Sequence, residues 1–231
     1  MKQNYCAFCS EKLSGEVCDC CGKSITDYHT APHWLLPGTV LAGKYEVGAV
    51  LGEGGFGITY IGRDTNLDMK VAIKEYFPSG VVNRNNTSSM EISALVGDTQ
   101  ANFEKGKQGF LSEARTLAKF SNEQSIVSVR DFFEENNTAY IVMEYLEGID
   151  LKDFIAQNGK MSFGLAISML SPIMSSLSKI HNQGLIHRDI SPANIMILNN
   201  RTVNLLDFGA ARNVSGADEK SLSVLLKPGF A

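Results

Sequence analysis

Two carboxylates and a carboxamide stand close together late in this chain. Asp189 and Asn194 lie within His187-Arg188-Asp189-Ile190-Ser191-Pro192-Ala193-Asn194, and Asp207 heads Asp207-Phe208-Gly209. One acid can orient a hydroxyl and take its proton, while a carboxamide and a second carboxylate offer the hard oxygen ligands that Mg²⁺ prefers. That division of roles suits metal-assisted phosphoryl transfer. Apolar runs at residues 195–198 and 203–206, split by Asn199-Asn200-Arg201, read as two strands of a hairpin able to bring the three groups toward one point.

The elements upstream supply what such a reaction also needs. Residues 45–51 and 58–62 are short strand candidates joined by Gly52-Glu53-Gly54-Gly55-Phe56-Gly57, where missing Cβ atoms let backbone N–H groups approach phosphate oxygens. A dinucleotide-binding turn shares this glycine pattern, but a helix should follow it, and Ile58-Thr59-Tyr60-Ile61 reads as a strand. Residues 69–75 form the next strand and carry Val71-Ala72-Ile73-Lys74. A helix over 110–118 puts Phe110, Ala114 and Leu117 on one stripe with Glu113 at its edge. Residues 127–133 and 138–143 make a further hairpin, leading into Met143-Glu144-Tyr145-Leu146. A short helix is expected at 150–157. A longer one at 162–181 is interrupted by Pro172, which predicts a kink or a late start.

Taken in order, the glycine hairpin, Val-Ala-Ile-Lys, the helical glutamate, His-Arg-Asp with its asparagine, and Asp-Phe-Gly resemble the bacterial serine/threonine protein kinases of the eukaryotic-like type. The resemblance implies an α+β, bilobal protein-kinase-like fold: an antiparallel N-lobe sheet with one helix, then a partial helical C-lobe. It implies that Asp189 accepts the substrate hydroxyl proton, that Asn194 and Asp207 hold Mg²⁺, and that Lys74, pinned by Glu113, positions the ATP phosphates. Arg188 would assist beside the catalytic acid. Gly52, Glu53, Gly54, Gly55, Phe56, Gly57, Thr59, Ala72, Met143, Glu144, Leu146 and Met196 complete the nucleotide-contacting set, with Thr59 where valine is usual. Protein serine and threonine hydroxyls are the implied acceptors. A catalytically impaired pseudokinase or interaction module is the alternative, with a small-molecule phosphotransferase behind it.

Two departures bear on activity. Ser191 stands where serine/threonine kinases carry a lysine, so the resemblance implies a slower transfer. The chain also reaches only Lys227-Pro228-Gly229-Phe230-Ala231, resembling the substrate-docking end of an activation segment, so truncation within the C-lobe is expected. Uncovered apolar faces then predict self-association. Autophosphorylation is a further expectation, with Ser215, Ser221 and Ser223 as candidate acceptors in the activation segment and Arg188 as a partner for phosphate there.

The five cysteines all precede Lys23. Cys6-x-x-Cys9 and Cys18-x-x-Cys21 offer four thiolates to one tetrahedral Zn²⁺, leaving Cys20 over or as a substitute for a neighbour. So short a segment with few large apolar residues needs a metal for order; a disulfide pair and disordered thiols are the competing readings. A zinc ribbon over 1–24, a linker over 25–44 in which Trp34, Leu35 and Leu36 tack the chain down, an N-lobe with hinge over 45–146 and a partial C-lobe over 147–231 are the expected domains. Residues 79–102, mostly polar, read as a solvated excursion.

A formal net charge of −4, with 21 dispersed Lys and Arg, argues against a nucleic-acid partner. No uninterrupted apolar run reaches the length of a membrane span, and residues 1–12 lack a signal core. A reducing, cytoplasmic setting is expected.

Overall fold

Residues 45–76 are apolar at too many successive positions for a sheet with one wet face. The computed structural model, which describes residues 5–84, 89–94, 99–206 and 212–213, shows what covers both faces. The chain forms two compact units, Met1–Ala118 with Val129–Tyr145, and Lys119–Ser128 with Leu146–Ala231.

The first unit is built on β1 (Val40–Leu41), β2 (Tyr45–Gly54), β3 (Gly57–Asp64), β4 (Met69–Tyr76), β5 (Val82–Asn83), β6 (Ser93–Ala94), α1 (Thr99–Ala118), β7 (Val129–Glu135) and β8 (Thr138–Glu144). Six strands make one antiparallel sheet in the order β1-β2-β3-β4-β8-β7, and β5 pairs with β6. Asn136 and Asn137, both at positive φ, make the two-residue turn between β7 and β8, whose left-handed conformation asparagine tolerates.

Register assigns the faces. Thr59 pairs with Lys74, Lys74 with Ile141, and Ala72 with both Ile61 and Met143. Because directly paired residues share a face and alternate residues along a strand do too, Thr59, Ala72, Lys74 and Met143 lie on one side. α1 covers that side. Tyr76, two residues beyond Lys74, packs against Phe103 and Phe110 of α1 at 5.4 and 5.5 Å between ring centroids. Gly106 lies in mid-helix, where glycine costs about 1 kcal/mol relative to alanine, because a Cβ there would collide with the Tyr76 hydroxyl.

Tyr60, Glu75 and Tyr140 occupy the opposite side. Glu75 is fully buried and accepts from the Tyr60 hydroxyl at 3.0 Å and the Tyr140 hydroxyl at 2.7 Å, and it pairs with Arg84. The N-terminal segment also packs onto this unit. Leu35 is fully buried and its amide donates to the Tyr60 hydroxyl, so the tacking expected of it takes place at that residue.

One expectation is corrected here. The stretch from residue 79 to 102 is not simply a solvated excursion: Val82, Arg84 and Ile92 are buried, the Ile92 amide donates to the Asn136 carbonyl, and α1 begins already at Thr99. The polar sequence concealed this because one arginine enters by pairing with a carboxylate, not through apolar periodicity.

The second unit contains β9 (Gly148–Asp150), α2 (Leu151–Asn158), α3 (Phe163–His181), β10 (Leu185–Ile186), β11 (Ile195–Leu198), β12 (Val203–Leu205) and β13 (Arg212–Asn213). β11 is central between β12 and β9, and β10 pairs with β13. Asp150 caps α2 by accepting from the Asp153 amide, and Ser162 caps α3 by accepting from the Leu165 amide. α3 runs unbroken from Phe163 with Pro172 inside it, so the late start does not occur.

α3 is also long and apolar enough, by length and composition alone, to cross a membrane, which the absence of an uninterrupted apolar run did not anticipate. It packs on β12 and buries Ile173, Leu177 and Ile180. Its N-terminal half is different: Phe163 is 82% exposed, and Leu165 and Ile167 are exposed as well.

Candidate active site

The first unit holds the glycine hairpin. Gly52, Glu53 and Gly54 end β2, Gly55 and Phe56 form the turn, and Gly57 opens β3. Only Gly57 has a packing reason among these glycines, since a Cβ there would run into the Glu75 carbonyl. Around Gly52, Gly54 and Gly55 nothing lies within 4 Å of where a Cβ would stand, and none has positive φ. Glycine weakens a strand, so three glycines with neither positive φ nor a packing need leave backbone open to an outside group.

Lys74 sits on the α1-covered face of β4 and is only 7% exposed, although an ammonium is expensive to bury without an opposite charge. Glu113, half-buried on α1, lies three residues beyond Phe110, which packs on the same face. Thr59, Ala72 and Met143 share that face with Lys74, and Glu144 ends β8. The chain then passes to the second unit, where Leu146 is half-buried and Met196 lies on β11 opposite Asp150.

The second unit brings the His187–Asn194 stretch together between β10 and β11. Asn194 closes a single helical turn at Pro192–Asn194, and its Nδ2 donates to Asp189 Oδ2 at 2.9 Å and to the Asp189 carbonyl at 2.8 Å. One carboxamide therefore fixes both the side chain and the backbone of the acid.

His187, fully buried, was not singled out by its residue type, yet it ties the loop down. The Asp189 amide donates to its Nδ1 at 3.2 Å, so Nε2 carries the proton and donates to the Leu206 carbonyl at 2.9 Å. Leu206 immediately precedes Asp207, so this histidine joins the acid-bearing loop to the segment leading into Asp-Phe-Gly. Arg188 lies between them, exposed and at φ +67°. Ser191 is 4% exposed. Asp207, Ser215, Ser221, Ser223 and the Pro228-Gly229-Phe230 stretch lie outside the described residues.

The cysteine pairs form two like knuckles. Cys6 O accepts from the Ser10 amide and Cys18 O from the Gly22 amide, with Ser10 and Gly22 both at positive φ. The four sulfurs of Cys6, Cys9, Cys18 and Cys21 lie within 4.8 Å of one another, and the exposed Cys20 stands outside the set. Cys6 Sγ is 3.6 Å from Cys21 Sγ, as is Cys9 Sγ from Cys18 Sγ. A tetrahedral Zn²⁺ with Zn–S of about 2.3 Å places its sulfurs about 3.8 Å apart. The thiols are free, so the disulfide reading fails. The Cys21 amide draws the Cys18 thiol down to about 7, while burial pushes those of Cys6 and Cys9 up. Four thiolates cannot share so small a space without a cation, so the donor set fits a metal.

A profile of the protein kinase domain matches residues 45–227. The chain belongs to the protein kinase family. Serine/threonine-protein kinase PrkC of Bacillus subtilis is 32% identical to this kinase domain over 181 residues, 78% of this chain and 25% of PrkC. A probable serine/threonine-protein kinase of Clostridium perfringens, CPE1738, is 32% identical over 78% of this chain and 23% of its own length. The kinase domain therefore spans about a quarter of these curated relatives. Among solved structures, the PpkA-294 apo form is similar with a TM-score of 0.69 and 36% identity, covering 77% of this chain and 62% of that one. The family match starts at Tyr45, so the cysteine knuckles and the segment up to Lys44 precede the matched kinase domain.

Proposed function

We propose that this kinase domain transfers the γ-phosphate of ATP to serine and threonine hydroxyls of proteins. The observation that carries the reading is the Asp189–Asn194 contact within a His-Arg-Asp loop: an acid held at two points, once through its carboxylate Oδ2 and once through its backbone carbonyl. Asp189 takes the hydroxyl proton as the new O–P bond forms and the bond from the γ-phosphorus to the β-phosphate oxygen breaks, so ADP leaves. Lys74, paired with Glu113, steadies the phosphates, and the open backbone of Gly52, Gly54 and Gly55 receives them. Asn194 and Asp207 are the oxygen donors for Mg²⁺, which when bound neutralises charge developing on the transferred group. Catalysis on this reading is positioning and electrostatics. Named kinases among the relatives support the assignment of protein acceptors.

Radiolabelled ATP with a generic protein substrate tests it, comparing the chain with Asp207→Ala. Label transfer that the substitution abolishes is the expected result. Nucleotide binding without transfer in the unsubstituted chain would mean a pseudokinase, and transfer to an added amino alcohol alone would mean a small-molecule phosphotransferase.

The metal of the knuckles is zinc on this reading, held by Cys6, Cys9, Cys18 and Cys21, in a reducing, cytoplasmic setting where thiols persist. Purified chain is expected to contain one Zn²⁺ per molecule by elemental analysis. Cys18→Ser should lose it, whereas Cys20→Ser should keep it; equal loss in both would remove Cys20 from its outside position. Self-association through the exposed apolar end of α3 fits the same reading.

A further inference from the structure

The glycine hairpin is held from outside the kinase domain proper. In β2 the register against β3 shifts between Val47 and Val50 and again between Val50 and Gly52, as at a β-bulge, which takes amides out of the ladder. The N-terminal segment takes up two of them. The Ala49 amide donates to the Ala7 carbonyl at 2.7 Å, and the Val50 amide to the Tyr28 hydroxyl at 3.2 Å. Ala7 lies in the first cysteine knuckle, and Phe8 beside it meets the Tyr28 ring edge-on at 5.8 Å. Gly48 makes the approach possible, because a Cβ there would stand 2.6 Å from the Ala7 oxygen.

The same segment then reaches the hairpin's own glutamate. His33 Nε2 donates to Glu53 Oε1 at 2.9 Å, and Trp34 Nε1 donates to Glu53 Oε2 at 2.8 Å. Each carboxylate oxygen has its own donor. His33 is braced by stacking on Phe77 at 5.5 Å, and the next residue, Leu35, is buried and bonded to Tyr60. Glu53 lies between Gly52 and Gly54, two of the three hairpin positions whose open backbone has no packing explanation.

We propose that His33 and Trp34 are positioning residues: by holding Glu53 they fix the glycine hairpin in the form that receives the nucleotide phosphates. This rests on the kinase reading above. The hairpin's three unpacked glycines leave it pliable, and two hydrogen bonds to one carboxylate remove that freedom before nucleotide arrives. The knuckles and the strap after them are thereby part of the nucleotide site's support.

Trp34 is the sole tryptophan in the chain, so its emission reports the hairpin directly. Titrating Mg²⁺–ATP into the unsubstituted protein should change that emission with the midpoint that calorimetry gives for binding. Trp34→Phe, which keeps an aromatic ring but loses the N–H, and His33→Ala should each raise KM for ATP about tenfold, the scale of one hydrogen bond to a charge. Turnover at saturating ATP should stay within about twofold, with Tm unchanged. His33→Gln, which retains a donor, should recover most of the loss. If the unsubstituted protein binds Mg²⁺–ATP, and both emission and the KM of the two variants are unmoved, the positioning role is overturned while the kinase reading stands. If the unsubstituted protein binds no Mg²⁺–ATP at all, the kinase reading falls and this inference with it.

Discussion

Asp189→Asn is expected to lower turnover by about 10²- to 10⁴-fold, the range a positioned proton acceptor contributes, with little change in Tm. The reason lies in how the acid is held. Asn194 Nδ2 donates both to the Asp189 carbonyl and to its Oδ2, and an asparagine at 189 keeps the carbonyl and one side-chain acceptor. The His187 contact uses the backbone amide of residue 189, which the substitution leaves alone. Loop geometry therefore persists while the basic oxygen is lost, so KM for ATP should stay near the unsubstituted value as kcat falls. Steady-state kinetics with thermal denaturation checks this. A fall in Tm that tracks the loss of rate would mean Asp189 is structural.

Arg84→Met should destabilise the first unit by about 3–5 kcal/mol near neutral pH, because removing one partner of a buried pair strands the other charge. The Arg84 and Glu75 side chains are fully buried and paired with each other. Among the described residues Arg84 Nε and Nη1 have no hydrogen-bond partner, and the guanidinium lies over the Phe77 ring at 5.4 Å. Burial holds the Glu75 carboxyl above the usual carboxylate range, opposed by Arg84 and the two tyrosine hydroxyls. A carboxyl that holds its proton more tightly when folded contributes stability that is fully present below its unfolded pKa and lost as pH rises through its folded value. Without Arg84 the folded value rises further, so the damage should be greater at pH 8 than at pH 5. Denaturant unfolding at both pH values measures it; an equal loss at both would contradict the ion-pair account.

The local structure of the His187–Asn194 loop and its hairpin was legible because polar residues and flanking apolar runs stand close together in sequence. The apolar runs either side of Asn199-Asn200-Arg201 read as a hairpin, and β11 and β12 pair as one, with β9 along the other edge of β11. The shared face of Thr59, Ala72, Lys74 and Met143 followed from strand alternation once the strands were placed. What sequence concealed depends on partners far along the chain. Nothing near Arg84 marks it as buried, since its partner is Glu75 and the tyrosines that complete the cluster come from β3 and β8. His33 and Trp34 sit in a stretch without periodicity, and their common target, Glu53, carried the expectation of contacting nucleotide itself. Leu35 was expected to tack the chain down, but its hydrogen-bond partner, the Tyr60 hydroxyl, lies in β3. His187 belongs to the His-Arg-Asp motif by sequence, while its work of joining Asp189 to Leu206 appears only when both bonds are seen together.

The central claim, proton transfer to Asp189 from a serine or threonine hydroxyl of a protein, is tested most directly by identifying the amino acid that receives label. The chain is incubated with Mg²⁺ and γ-labelled ATP in the presence of a generic protein substrate, and the hydrolysed protein fraction is resolved into phosphoamino acids. Phosphoserine or phosphothreonine formed by the unsubstituted chain and missing with Asp189→Asn is the predicted result. Label confined to phosphotyrosine, or serine and threonine labelling that survives Asp189→Asn, would contradict it.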